Sequence, residues 1–194
     1  MNRNVIIGLL LLAAIAAGIL LGFLLGRSGK IRIPAEETSF TAYLTGYSYF
    51  DNTPKGSLAI AFPASKTHPT VHLEAGGSGT YNDPVTLAVG HAHVGGVDMP
   101  DFVPGTRVYV PDFKKYFVVE DECGDGATPQ KSGCHAGYNG YIWLDVWVGG
   151  QDTDTSDATS ACEHKITGLH TIVLEPSSGY PVQAGSVLVS KLCE

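Results

Sequence analysis

The sequence predicts an all-β domain of short strands, braced by disulfides and preceded by one N-terminal hydrophobic helix. Three observations carry that expectation. Val5 to Leu25 holds no charged residue, and a run of about 20 apolar residues is long enough to cross the ~30 Å hydrocarbon core of a bilayer. Beyond it, runs of β-branched and aromatic residues alternate with turn formers drawn from 24 glycines and 11 prolines, the pattern of a sandwich or barrel. Lastly, Cys123, Cys134, Cys162 and Cys193 form an even set confined to the second half of the chain. In an oxidising compartment such a set reads as two disulfides.

From the N-terminus, residues 1–26 read as a transmembrane anchor or signal segment, 27–40 as a linker and 41–194 as the folded domain. The apolar run ends Leu24-Leu25-Gly26-Arg27, a poor cleavage site, so an uncleaved anchor is favoured over a cleaved leader. Arg3 precedes the run, and Arg27, Lys30 and Arg32 follow it. That slight bias would keep the domain in the cytoplasm; the cysteines place it outside, and they outweigh so small a bias. The expected location is membrane-anchored and extracytoplasmic, or secreted where the segment is cleaved. Ala14, Gly18, Gly22 and Gly26 recur every fourth residue, a spacing that would let two spans approach as a homodimer. Spans are rich in small residues in any case.

After Arg32 come eight basic against 19 acidic residues, a net charge of −11 for the domain. No basic patch tracks phosphates, so nucleic acid is not an expected partner. Strands are expected at Thr41–Tyr49, Val85–Val89, Arg107–Val110, Tyr116–Asp121, Tyr141–Val148, Thr171–Leu174 and Ser186–Ser190. Between them lie turn-rich stretches such as Ala75-Gly76-Gly77-Ser78-Gly79, and no convincing amphipathic helix is legible.

Two strands carry chemistry. Along Tyr141–Val148, alternation puts Ile142, Leu144, Val146 and Val148 on a core face and Tyr141, Trp143, Asp145 and Trp147 on the other. An acid flanked at i−2 and i+2 by indoles suits a sugar groove: flat apolar platforms and one proton-transferring group. Alternatively the tryptophans pack under a loop and Asp145 is a surface charge. In the second strand, Phe117, Val119 and Asp121 share a face, so Asp121 ends an apolar row. Burial there would raise its pKa, although a buried, hydrogen-bonded structural aspartate fits equally.

The stretch Thr86-Leu87-Ala88-Val89, then Pro104-Gly105-Thr106-Arg107-Val108-Tyr109-Val110, then Val118-Val119-Glu120-Asp121, then Leu144-Asp145-Val146 resembles the double-psi β-barrel superfamily. The likeness is nearest to its three-aspartate, RlpA-like and expansin-like (barwin-like) branch, and covers about Thr41 to Val148. It implies a six-stranded double-psi β-barrel with long loops, acting on cell-wall polysaccharide outside the cytoplasm. By position, Asp145 matches the proton-transferring aspartate of the lytic enzymes and Asp121 the aspartate of the Glu-Asp motif. Where a third aspartate usually follows Ala-Val, this chain has Gly90-His91, leaving His91 as the substitute. The segment between Asp121 and Asp145 is also longer and contains Cys123, Cys134 and His135. Of the three pairings four cysteines allow, Cys123–Cys134 would close that inserted loop and Cys162–Cys193 would tie the C-terminus back.

On this resemblance the chain is a lytic transglycosylase or a glycoside hydrolase. A lytic enzyme needs Asp145 alone: protonated it gives its proton to the glycosidic oxygen, then as carboxylate takes one from the sugar's own 6-hydroxyl. A hydrolase needs a carboxylate pair, for which Asp121 and Asp145 are the candidates. The alternative is a non-catalytic, expansin-like glycan- or protein-binding module with Trp143, Trp147, Tyr47 and Tyr49 as platforms. No cofactor is implied. His91-Ala92-His93 puts two imidazoles on one face of a strand, and Cys134-His135 with Cys162-Glu163-His164 could form a zinc site. Metal-site cysteines usually come as close pairs, none of these lies within four residues of another, and disulfides are the favoured reading. Asp152 to Asp157 lacks the glycine and closing glutamate of a calcium loop.

Overall fold

The computed structural model describes residues 36–152 and 155–193. The span expected at 5–25 and its small-residue stripe lie outside them; among the described residues, no helix is long and apolar enough to cross a membrane. The strands are β1 (Thr38–Ser48), β2 (Val85–Val89), β3 (His91–Val94), β4 (Val97–Pro100), β5 (Arg107–Val110), β6 (Lys115–Glu122), β7 (Trp143–Gly149) and β8 (Gly168–Leu174). A one-turn helix α1 (Gly133–Ala136) precedes β7, and α2 (Asp157–Ile166) follows it.

Six strands close a barrel in the order β1-β7-β2-β6-β5-β8, and β3 and β4 form a separate hairpin. The pairs β1/β7 and β2/β6 are parallel, while the other four are antiparallel. Exchanging the first three barrel strands with the last three (β1 with β6, β2 with β7, β5 with β8) leaves every neighbour relation and direction unchanged. Leu44, Leu87, Val108, Phe117, Val119, Leu144, Val146 and Ile172 fill the interior. Each such side chain taken from water stabilises the fold by about 1.5–3 kcal/mol.

Six of the seven expected strands exist; Ser186–Ser190 is a turn. Closure is the reason: each barrel strand already has two neighbours, so no edge is free for a seventh. The segment attaches instead through Leu188 N–H to the Val148 carbonyl at 3.0 Å. Just before it, Lys115, fully buried on β6, donates to the carbonyls of Gln183 and Gly185 at 2.6 Å each. Burial lowers the pKa of that lysine.

Two further corrections concern β7 and α2. Because β7 starts at Trp143, the alternation does not reach Ile142, which is 42% exposed rather than core. The helix α2 has a narrow buried stripe of Thr159, Cys162 and Ile166, too polar to be legible as amphipathic. It lies directly on β1 at Gly46, where a Cβ would come within 2.9 Å of the Ile166 side chain. Any larger residue there would lift the helix off the sheet.

Between β1 and β2 the chain runs through residues 49–84 without a strand or helix. Connections of that length are usually functional. Its backbone is held by side chains. Asn52 Nδ2 donates to the carbonyls of Ser57 and Ala59 at 3.0 Å each. Glu120, fully buried on β6, accepts the Val71 and His72 amides at 3.2 Å and the Thr86 hydroxyl at 2.8 Å. The His72 ring bridges Glu120 at 2.5 Å and Asp83 at 2.9 Å.

Candidate functional site

The sheet register brings the two aspartates to one place. In β2, Ala88 pairs with Asp145 on β7, so both lie on the face opposite Leu87 and Val146. On its other side, a regular ladder would set Glu120 against Ala88. A β-bulge between Leu87 and Ala88 shifts the register by one, and Asp121 takes that position. Bulges re-aim side chains in this way. Asp121 is thus removed from the apolar row of Phe117 and Val119 in which alternation had placed it. The two aspartates flank Ala88 with Cα atoms two strand spacings, about 10 Å, apart. Both line one cavity of about 410 Å³, whose small floor residue is Ala88 itself.

The two carboxyls differ in what holds them. Asp121 is buried and accepts three hydrogen bonds: Tyr47 Oη at 2.8 Å, and the amides of Ala61 and Glu122 at 2.9 Å each. Burial raises its pKa, and those bonds offset part of the rise. Its charge, with burial first, pushes the Tyr47 hydroxyl well above its usual value. Asp145 is half-buried and, among the described residues, accepts from Thr45 Oγ1, at 2.7 Å on Oδ1. Thr45 in turn accepts from Trp143 Nε1 at 2.7 Å. The threonine therefore gives its single proton to Asp145 Oδ1, and Oδ2 is left to carry a proton of its own. Burial first, then the charges of Asp51, Glu163 and Asp121, push Asp145 up to about 7. One carboxyl is held by three donors and the other is poised to exchange a proton near neutrality.

The wall around them is acidic. Asp51, Glu122 and Asp125 line the cavity together with His91, and among the described residues no lysine or arginine does. Asp51 is held by the amide and hydroxyl of Ser48 at 2.6 and 2.8 Å. His91, the substitute acid-site residue of the sequence reading, lies in the cavity wall. Its Nδ1 is 3.9 Å from Glu122, beyond hydrogen-bond range. Burial raises the Glu122 pKa, His91 lowers it, and Asp98 and Asp121 raise it further. The inserted loop is closed by Cys123–Cys134, and the second disulfide is Cys162–Cys193. No thiol is free to bind zinc. Cys123 to Gly126 form one side of the cavity and leave it open.

The expected platforms divide. Tyr47 is in the cavity wall, but its hydroxyl is committed to Asp121. Trp147 is 2% exposed and packs edge-on against Tyr47 with centroids 5.2 Å apart, so it offers no face to a ligand. Tyr49 packs against the core and edge-on against Phe50, and lines neither the first nor the second cavity. Trp143 belongs to a second cavity of about 300 Å³.

The family model for the DDB_G0273701 N-terminal domain matches residues 39–194. The chain belongs to this family. An uncharacterized protein of Dictyostelium discoideum is 33% identical over 147 residues, which is 75% of this chain and 55% of that protein. The chain thus spans about half the length of the relative it matches. No solved structure matches it. The segment matched by the DDB_G0273701 N-terminal domain family begins inside β1, so it takes in both aspartates, both disulfides and the whole cavity. Thr45, Asp51 and Glu122 are site residues that pattern reading of this family member misses. Only the pairing of β1 with β7 reveals Thr45, which stands directly across from Asp145.

Proposed function

We propose that this domain is an extracytoplasmic protein acting on cell-wall polysaccharide, with Asp145 as its proton-transferring group. The observation that carries the reading is the placement of Asp145 beside Asp121 in one open cavity, with Asp145 titrating near 7. The barrel order, with its two parallel pairs and its exchange symmetry, supports assignment to the double-psi class. The two disulfides favour an oxidising compartment, reached by way of an N-terminal anchor at residues 5–25.

Of the two chemistries, the lytic one is favoured, because all three donors on Asp121 compete with a role as base or nucleophile. Asp145 Oδ2 protonates the glycosidic oxygen as the C–O bond breaks. The resulting carboxylate then takes the proton of the sugar's 6-hydroxyl while that oxygen closes on the anomeric carbon. Asp145 ends protonated, and no water is consumed. The second reading, a non-catalytic glycan- or protein-binding module, draws on the absence of a third aspartate at Gly90-His91.

The test incubates the full chain separately with peptidoglycan, chitin, β-glucan and cellulose and weighs the released fragments by mass spectrometry. Anhydro-sugar ends that disappear with Asp145→Asn establish the lytic reaction. Fragments heavier by one water indicate a hydrolase instead. Polymer capture without release leaves the binding module and removes the catalytic role of Asp145.

A further inference from the structure

Trp143, one of the expected platforms, lines the second cavity, which the proposed reaction at Asp145 does not use. Its walls are Phe102, Tyr141, Ile142 and Trp143, and its polar groups are Asp101 and His135, paired at 2.7 Å. Tyr141 and Ile142 are 38% and 42% exposed. Large apolar side chains left in contact with water around a small concave site, with two convergent polar groups, mark a ligand pocket.

The walls are rigid. Tyr138 and Tyr141 exchange backbone hydrogen bonds at 2.9 Å in both directions. Gly137, at φ +80°, lets that turn close, since a Cβ there would come within 2.5 Å of the Tyr141 carbonyl oxygen. Tyr43 stacks on Tyr138 at 4.1 Å and meets Trp143 edge-on at 5.1 Å, which fixes the indole. The cavity is also coupled to the first one. Trp143 and Asp145 lie two residues apart on one face of β7, about 7 Å along the strand. They are joined by the hydrogen bonds from Trp143 Nε1 to Thr45 and from Thr45 to Asp145, each 2.7 Å.

We propose that this second cavity is a subsite for a further pyranose ring of the chain whose linkage sits at Asp145. Tyr141 and Trp143 cover the C–H faces of the ring, and Asp101 and His135 take its hydroxyls. The inference rests on the glycan reading above and adds a location and a length requirement to it. A ligand of two sugars fills the first cavity alone; a longer one reaches both.

The full chain is titrated with the dimer and hexamer of the cellulose and chitin series, reading calorimetry and tryptophan fluorescence. The expected result is that one hexamer binds at least tenfold more tightly than its dimer. Tyr141→Ala, and separately Ala136→Trp, which fills the cavity from an exposed position at its rim, each bring the hexamer down to the dimer's affinity. If the tenfold preference survives both substitutions, or if dimer and hexamer bind alike from the start, the second subsite is wrong while the glycan reading stands. If no oligosaccharide of either series binds, the second subsite is wrong, and the glycan reading is decided separately by fragment release from peptidoglycan and β-glucan.

Discussion

Asp145 concentrates the chemistry of this domain because its surroundings do two opposed things. Desolvation and the neighbouring acids favour its neutral form, and Thr45 stabilises the charged form by donating to Oδ1. The balance near 7 makes two measurable statements. As a proton donor Asp145 must be protonated at the start of each turnover, so the rate of fragment release should fall about tenfold per pH unit above 7. A flat pH–rate profile from 6 to 9 would remove it as the acid. The same shift bears on stability. Between the ordinary carboxylate range and about 7 the folded state holds a proton that the unfolded chain has released, so stability falls as pH rises through that window. Asp145→Asn removes the penalty while keeping an acceptor for Thr45. Discounted for the solvent in the cavity, the variant should gain about 2 kcal/mol over the parent at pH 8 and nothing at pH 4. Urea unfolding at the two pH values measures both.

At the scale of elements, the bulged end of β6 governs the site. Its Glu-Asp pair splits its duties: Glu120 anchors the long 49–84 segment, and Asp121 turns into the cavity. His72 completes the anchor, and its pKa is raised first by the hydrogen bond to Glu120 and then, against the cost of burial, by Asp83. A raised histidine stabilises fully below its unfolded value and loses that contribution as pH climbs through the folded one. His72→Ala should therefore cost about 3 kcal/mol below pH 6 and less above pH 8. The loss should show as faster hydrogen exchange at Val71 and at position 72. Equal losses at both pH values would mean that His72 packs but carries no charge.

The sequence made some of this legible and not the rest, for physical reasons. The β5–β6 hairpin and β2 are dense in β-branched residues, and their pattern needs no partner to be read. The β3–β4 hairpin has strands of four residues whose apolar Val94, Val97 and Met99 are exposed, too short to show an alternation, leaving Gly95-Gly96, both at positive φ, as its one local signal. The bulge that brings Asp121 beside Asp145 is a property of pairing between strands 30 residues apart in sequence, which no single strand records. The burial of Trp147 has the same origin, because it depends on Tyr47 across the β1/β7 ladder.

At the scale of the whole molecule, the two disulfides brace different things. Cys162–Cys193 spans 31 residues and ties α2 to the end of the chain. Cys123–Cys134 spans 11 and closes the loop that forms one cavity wall. Loop-closure entropy assigns about 4 kcal/mol to the longer link and about 3 kcal/mol to the shorter. On energy alone, then, losing the longer link should hurt more. Their consequences for the site should rank the other way. With Cys123→Ser/Cys134→Ser, Gly124, Asp125 and Gly126 lose the tether that holds them against Asp121. Polysaccharide binding should drop at temperatures where the barrel is still folded. With Cys162→Ser/Cys193→Ser, the urea midpoint should fall further while binding at 20 °C is kept, since neither cysteine borders the cavity. Parallel unfolding and pull-down measurements on both double variants decide the point. Matched losses of stability and binding in the two would mean that the cavity wall has no rigidity of its own apart from the barrel.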